Sequence, residues 1–362
     1  MANKDDLLKW VEVSRSAIAD NLSEFRRLIH PDSLMMAVVK SNAYGHGIED
    51  VSDIALSAGA DYLGVNEIDE ALRLREQGFT CPILVLGATM PARMEEAARE
   101  GIEAVVYLPE KVKQWQKAAQ RCNGSLGLHV KVETGLNRQG VLMKDLLPLA
   151  QSIENAPELE LKGVYTHFAN IEDTTDHSFA NQQLSQFKRA LSLLSKELSI
   201  EPIAHCACSA AALVVRETSF DLVRVGIGMY GLWPSKETQL SALMKTPRNP
   251  VELRPALTWK TRIAQVKRVE RGSPIGYGCS ERATHEMSLA ILPTGYYDGL
   301  DRGLSNQGQV LLRGQRAYIR GRICMNMTMV DVTHIPNARE GDEVVIIGRQ
   351  GEEELSADFV AD

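Results

Sequence analysis

The sequence has no stretch of the roughly 18 uninterrupted apolar residues that a membrane-spanning helix needs, and Met1 to Asp6 at its start are mostly polar. A cytoplasmic location is the expectation. It also lacks a basic excess: 40 Lys and Arg stand against 47 Asp and Glu, interspersed, for a net charge of −7. No basic stripe offers itself to nucleic acid or to an anionic membrane, so a small molecule is the default partner. The C-x-C pair of Cys206 and Cys208 has no second ligand pair, so no metal is expected. With Cys81, Cys122, Cys279 and Cys324 these two sit in mostly apolar runs and read as reduced thiols packed in a core. Internal repeats and low-complexity tracts are absent too. What is there, 362 residues that are 44% hydrophobic and 24% charged, suffices for two domains with buried cores.

Before residue 245, short apolar and β-branched runs alternate with helix-length amphipathic stretches. The runs are Leu34 to Val39, Tyr62 to Val65, Ile83 to Leu86, Ala104 to Tyr107, Leu126 to Val132, Leu161 to Thr166, Ile203 to Ala207 and Asp221 to Val225. Between them, Ile68 to Glu76, Arg93 to Glu100 and Gln183 to Leu198 carry apolar residues at three- and four-residue spacing. Eight strand-then-helix units predict an α/β fold, a (β/α)8 barrel of the TIM type, over residues 12–244. Pro247, Pro250 and Pro255 then read as a linker. From Ala256 to Asp331 the pattern becomes two-residue alternation, with Thr258, Lys260 and Arg262 set against Leu257, Trp259 and Ile263, broken by Gly-rich turns. That predicts a mostly antiparallel β-domain over 245–362, joined by residues 1–11, with Val11 to Val13 as an added strand.

In such a barrel the reacting groups belong at the C-terminal ends of the strands. Lys40 ends the first run, where desolvation favours a neutral amine able to form a Schiff base; the bland alternative is a strand-end lysine reaching out to water. Arg224 lies inside the otherwise apolar eighth run, and glycines follow it. Ser209, Gly226 and Ile227, in the loops after the seventh and eighth strands, form a candidate phosphate cradle, or else a helix cap and a tight turn. His167 ends the sixth strand, where an imidazole can stack on a flat ring or simply fill the core. Lys131 and Arg138 flank the turn after the fifth strand, two cations that need an anion between them. Tyr277, between Gly276 and Gly278, puts a phenol on a turn, a weak signal alone.

Taken together these residues resemble a known family along essentially the whole chain. A-V-V-K-S-N-A-Y-G-H-G (Ala37 to Gly47) resembles the cofactor-attachment motif of the alanine racemases, which are fold-type III enzymes dependent on pyridoxal 5′-phosphate. V-E-T-G-L-N-R-Q-G (Val132 to Gly140), T-H-F (Thr166 to Phe168), R-V-G-I-G-M-Y-G (Arg224 to Gly231), G-Y-G (Gly276 to Gly278), G-Y-Y-D-G (Gly295 to Gly299) and C-M-N (Cys324 to Asn326) are similar to that family in order and spacing. The resemblance implies a homodimeric isomerase that interconverts L- and D-alanine, or other small amino acids, and supplies D-alanine for peptidoglycan. Lys40 would hold the cofactor and act as one acid–base group; Tyr277, reaching across from the partner subunit, would be the other. Tyr44, Ser209, Gly226 and Ile227 would hold the phosphate, His167 would stack on the ring, and Arg224 would face its nitrogen. Arg138 would contact the cofactor phenolate and the substrate carboxylate, beside Met325 and Asn326. Lys131 matches a lysine carbamylated by CO2, and Asp69, Tyr296 and Arg302 resemble residues of the substrate access channel.

Three departures from the family pattern stand out. Cys208 replaces an asparagine ahead of the serine, and Asn326 replaces the commoner aspartate; both bear on how narrow the alanine specificity is. Relatives also continue past Ser356 to Asp362 with a second tyrosine near the phosphate, so either the chain is a fragment or its site works without that group. The competing readings are a decarboxylase of the same barrel class, which sets a carboxylate rather than Arg224 at the ring nitrogen, and a non-catalytic cofactor carrier, which lacks a β-domain.

Overall fold

In the computed structural model, which describes residues 6–361, every one of the eight apolar runs overlaps a strand. After an N-terminal strand β1 (Lys9–Val13) come β2 (Leu34–Val38), β3 (Tyr62–Val65), β4 (Ile83–Val85), β5 (Glu103–Val106), β6 (Leu126–Lys131), β7 (Leu159–Tyr165), β8 (Ile203–His205) and β9 (Leu222–Val225). The last eight form one parallel sheet in the order β8-β7-β6-β5-β4-β3-β2-β9. Between its two edge strands the Asp221 N–H donates to the Ala204 carbonyl (3.0 Å) and the Arg224 N–H to the Ala207 carbonyl (3.1 Å), so the sheet curls into a nearly closed barrel. Strands covered on both faces are buried throughout, which is why they read as continuous apolar runs rather than alternating ones. Met36, Val38, Tyr62, Leu84, Val105, Tyr165 and Leu222 fill the barrel interior.

This unit runs over Arg15–Pro255; the second joins the N-terminal segment through Ser14 to everything from Ala256. The boundary therefore falls at Pro255, not at residue 244. The reason is Asn21, fully buried on the first barrel helix (Arg15–Leu28). Its amide donates to the carbonyls of Met229 (3.0 Å) and Arg254 (2.9 Å) and its Oδ1 accepts the Arg254 N–H (2.8 Å), so the proline-rich segment is strapped to the barrel.

The second unit contains β10 (Leu257–Arg262), β11 (Gln265–Val269), β12 (Pro274–Ile275), β13 (Glu281–Arg282), β14 (Met287–Leu292), β15 (Gln309–Leu312), β16 (Gln315–Ile319), β17 (Thr328–Asp331), β18 (Glu343–Gln350) and β19 (Glu353–Leu355). Its main sheet runs β1-β10-β18-β15-β16-β17-β14-β11, with β19 on β18, and all its pairings are antiparallel. The pairing of β1 with β10 makes Val11 to Val13 part of this sheet. The alternation expected along β10 is not clean: five of its residues are half-buried and Thr261 is the buried one. Lying between β1 and β18, β10 turns Lys260 into a bridge, 3.2 Å from Glu12 and 3.0 Å from Glu343, so the polar face is covered by ion pairs. Ile263, Leu292, Val310, Leu312, Ile319 and Val344 centre the apolar core. Among the described residues no helix is long and apolar enough to cross a membrane, and no group of three or more His, Cys, Asp or Glu is placed to hold a metal.

Replacing Asn21 by Ala would strand buried carbonyls and an N–H, a loss of roughly 2–4 kcal/mol. The expected result is a lower thermal midpoint together with faster trypsin cleavage after Lys245 or Arg248; unchanged cleavage would mean that the strap is held elsewhere.

Candidate active site

Immediately after β2, Ser41, Asn42, Ala43 and Tyr44 all have φ between 54° and 56°. This is a left-handed turn, which costs L-residues roughly 1–2 kcal/mol apiece. The surroundings over-determine it. The Asn42 N–H donates to Glu70 Oε1 (3.1 Å), whose carboxylate also accepts the Asn66 N–H (2.9 Å), and Asn42 Oδ1 accepts the Ile48 N–H (3.1 Å). His46 Nδ1 lies 3.0 and 3.1 Å from the carbonyls of Ala43 and Tyr44, so that nitrogen carries the proton. The His46 and Tyr44 rings both pack on Tyr230 (4.5 and 4.8 Å between centroids), whose hydroxyl donates to the Val38 carbonyl (3.0 Å). The turn thereby aims Lys40 and Tyr44 into the same cavity.

That cavity, of ≈ 650 Å³, is lined entirely by barrel residues. Nine residues singled out from the sequence meet there: Lys40, Tyr44, Lys131, Arg138, His167, Ser209, Arg224, Gly226 and Ile227. Apart from Arg224, which lies within β9, all follow or end strands, at the barrel's C-terminal face. Asp69 does not line it; it is exposed on the helix Ile68–Glu76 and paired with Arg93 at 2.9 Å. Tyr277, Tyr296, Arg302, Met325 and Asn326 belong to the other unit and are exposed. There Tyr277, 70% exposed, sits between Gly276 and Gly278, both at positive φ (71° and 77°), on a turn that lifts the phenol clear of the surface.

At one end of the cavity Ser209 Oγ accepts the N–H groups of Gly226 (2.9 Å) and Gly228 (3.3 Å), which leaves the serine hydrogen free to donate. A Cβ on Gly226 would lie 3.0 Å from Tyr44 Oη, so glycine is what keeps this corner open. Ile227 begins the 3-10 turn Ile227–Tyr230, and the first N–H groups of such a turn lack partners within it. Hydroxyls and backbone donors converging this way suit a phosphate.

At the back, Arg224 is 4% exposed. Its Nη1 donates to His205 Nδ1 (2.9 Å), and its Nη2 to the carbonyls of Thr166 (2.9 Å) and Cys206 (3.2 Å) and to His167 Nδ1 (3.1 Å). Among the described residues no carboxylate touches it. Burial, and then the Arg224 charge, push the His205 and His167 imidazoles well below their ordinary range, so both stay neutral. Burial, and then Arg138 and Arg224, pull the Lys131 ammonium down to about 8. Lys131 Nζ donates to Gln139 Oε1 (3.0 Å), an amide rather than a counter-charge.

The sequence reading missed part of this wall. Tyr165 ends β7 with its ring 5.4 Å from Lys131 Nζ and 5.1 Å from the Arg224 guanidinium, and its buried hydroxyl has no partner among the described residues. Gln183, fully buried on the helix Ser178–Glu197, donates to Thr134 Oγ1 and to the His167 carbonyl (both 3.2 Å) and accepts the Ala169 N–H (2.9 Å), which fixes the His167 loop. A buried glutamine on a helix looks like surface in sequence; only the polar residues inside apolar runs, such as His129 and His205, carried a readable signal. Four cations, Lys40, Lys131, Arg138 and Arg224, around an orphan hydroxyl and a phosphate-shaped corner fit pyridoxal phosphate, a flat anion.

Comparison with known proteins agrees with this geometry. Residues 13–234 match the family model "Alanine racemase, N-terminal domain", and residues 256–362 match "Alanine racemase, C-terminal domain". The alanine racemase of Leptospira interrogans is 38% identical over 361 residues, 99% of this chain and 91% of that one. The crystal structure of alanine racemase from Bacillus anthracis with bound L-Ala-P superposes with a TM-score of 0.90 at 38% identity, covering 98% of this chain and 89% of that one. A histidine racemase from Leuconostoc mesenteroides superposes with a TM-score of 0.86 at 29% identity, covering 100% and 94%.

Two outcomes follow from the site as built. Gly226→Ala should weaken binding of an organic phosphate roughly tenfold in calorimetric titration with the melting curve unchanged, and equal affinity would remove the corner from the binding surface. Because His167 and His205 resist protonation when folded while the unfolded chain takes up protons near pH 6.5, their contribution to stability is full above that pH and is lost as the pH falls further. Thermal midpoints should drop from pH 7.5 to pH 5.5; a midpoint that rises on acidification would contradict the assignment.

Proposed function

The chain belongs to the alanine racemase family, and from that premise we propose that it racemises alanine with pyridoxal 5′-phosphate held in the barrel cavity and with Lys40 and Tyr277 as its two acid–base groups. The observation that carries this reading is Arg224: a donor-only cation at the back of a cavity whose opposite corner suits a phosphate. Tyr44, Ser209, Gly226 and Ile227 would hold the phosphate, His167 would stack on the ring, and Lys40 would form the covalent link.

Bound pyridoxal phosphate supplies a sink for the electron pair left at the substrate α-carbon when its proton departs. Arg224 can only donate, so facing the ring nitrogen it would hold that nitrogen unprotonated and keep the sink shallow, which would favour return of a proton over decarboxylation or transamination. Lys40 Nζ exchanges the α-proton on one face of the substrate and Tyr277 Oη on the other; two groups on opposite faces invert the centre. Arg138 takes the substrate carboxylate. Lys131, pulled down to about 8, has an appreciable neutral fraction at working pH, and its nitrogen can add CO2 with loss of one proton. The resulting carbamate would give Arg138 the anion it lacks; a high-resolution density map ending at the Lys131 nitrogen would rule this out.

Tyr277 is assigned to the site of the partner subunit, so the reading includes a homodimer, with Met325 and Asn326 near the substrate and Asp69, Tyr296 and Arg302 along its access channel. The six unpaired cysteines fit a reducing, cytoplasmic compartment. D-Alanine for peptidoglycan would be the product's use. Substrate breadth is the finer question, because a similar scaffold serves a histidine racemase. Cys208, in the cavity wall, and Asn326 are the positions where this chain departs from the alanine-specific pattern.

The decisive measurement incubates cofactor-loaded enzyme with L-alanine, L-serine and L-histidine separately in D2O, following optical rotation, deuterium at the α-carbon and CO2. Inversion with deuterium uptake and no CO2 is expected, fastest for alanine; CO2 release would replace the reading with decarboxylation. Tyr277→Phe should lower turnover by roughly 10²-fold or more with cofactor absorbance retained, and undiminished turnover would remove Tyr277 from the chemistry.

A further inference from the structure

A buried guanidinium without a carboxylate in contact is electrostatically incomplete. Arg224 solves this at a distance. Beyond His205, whose Nδ1 accepts from Arg224, the His205 Nε2 lies 2.9 Å from His129 Nδ1, and His129 Nε2 lies 2.9 Å from Glu103 Oε2. Both imidazoles are completely buried and Glu103 is 8% exposed. The proton positions follow by elimination. Arginine only donates, so His205 Nδ1 is bare and its Nε2 bears hydrogen. That hydrogen points at His129 Nδ1, which is therefore also bare, and the His129 Nε2–H ends on the Glu103 carboxylate. Every link is satisfied when the two imidazoles are neutral and the ends are oppositely charged.

The barrel is shaped around this chain. A Cβ on Gly163 would lie 2.2 Å from His129 Nδ1, and one on Gly127 would lie 3.0 Å from Glu103 Cγ. Neither glycine is at positive φ, so room for the chain is what these two strand positions provide. The register between β6 and β7 also shifts between Leu128 and His129, where the ring enters. On its open side His205 stacks on Tyr165, 4.7 Å between centroids and 9° from parallel, and Tyr165 is the ring that faces Arg224.

We propose that Glu103 is a positioning residue for Arg224: its carboxylate is the counter-charge of a guanidinium that it never touches, transmitted by His129 and His205 as fixed Nε2–H tautomers. The chain holds the guanidinium in one orientation, with Nε, which has no protein partner among the described residues, left for the ligand. The kinetic consequence rests on the racemase reading above; the tautomers do not.

The first test is therefore made on cofactor-free protein labelled with 15N-histidine, between pH 5.5 and 8. His129 and His205 should both appear as neutral Nε2–H tautomers, and finding either as an imidazolium or as the Nδ1–H form overturns the relay whatever the enzyme catalyses. Glu103→Leu should mix the His129 tautomers and lower kcat for alanine racemisation roughly ten- to a hundredfold with KM little changed. Glu103→Gln, which keeps an acceptor but not the charge, should retain the tautomers and melt lower than the wild type. Gly163→Ala should reproduce the Glu103→Leu tautomer change without altering any member of the chain. Unperturbed tautomers in Glu103→Leu would reduce Glu103 to a wall residue. Wild-type tautomers as expected without any racemisation would instead sink the functional reading and leave the relay standing.

Discussion

One permanently charged group inside the barrel wall, the Arg224 guanidinium, sets the conditions for nearly everything around it. A cation at 4% exposure cannot shed its charge as a lysine would, so its neighbours must adapt. They do so by presenting lone pairs, the carbonyls of Thr166 and Cys206 and the bare nitrogens of His205 and His167. An imidazole that accepts from arginine must be neutral; burial first, and then the Arg224 charge, keep His167 and His205 so, while burial, then Arg138 and Arg224, pull the Lys131 ammonium towards the neutral amine. Burial and this one residue of β9 thus act in the same direction on three other groups.

Strain and charge are kept on separate elements. The left-handed turn at 41–44 carries the conformational cost, and it is tied down by neutral or peripheral partners, Glu70, His46 and Tyr230, rather than by the cationic cluster. Tying it from outside leaves the Lys40 amine and the Tyr44 hydroxyl uncommitted on the cavity side. Had the turn been held by the groups that meet a ligand, ligand binding would have to break those bonds first.

Much of this was legible in the sequence, for identifiable reasons. The barrel strands are buried on both faces, so their apolar runs are continuous and countable, and Lys40 and Arg224 stand out as charges at or inside such runs. Glu103, His129 and His205 were harder: their bonds span 26 and 76 residues, and two polar residues in two different runs do not announce that they touch. Gly163 and Gly127 are, in the fold, the space that makes those bonds fit, a role that depends on neighbours remote in sequence. The handedness of the turn after Lys40 left no trace at all, because Ser, Asn, Ala and Tyr have no shared preference for it. The domain boundary was misplaced because three prolines read as a free linker, while one asparagine more than two hundred residues away holds that segment to the barrel.

The cavity's charge inventory bears on reaction choice as well as on binding. Lys40, Lys131, Arg138 and Arg224 face it and, among the described residues, Glu172 is the one carboxylate in its wall, so an anionic ligand is favoured there. On the proposed reading a phosphate would meet the corner at Ser209 and Gly226, and a substrate carboxylate would meet Arg138. Neither anion can neutralise Arg224, which is already committed to four acceptors, so its charge persists through any reaction carried out above it. A persistent cation that cannot release a proton makes the ring nitrogen a poor place to store electrons. On the proposed reading the shallowest available outcome would then be to put the proton back, and the face it returns to would depend on where Lys40 and Tyr277 stand. On this argument the choice of racemisation is made by a residue that touches no reacting bond.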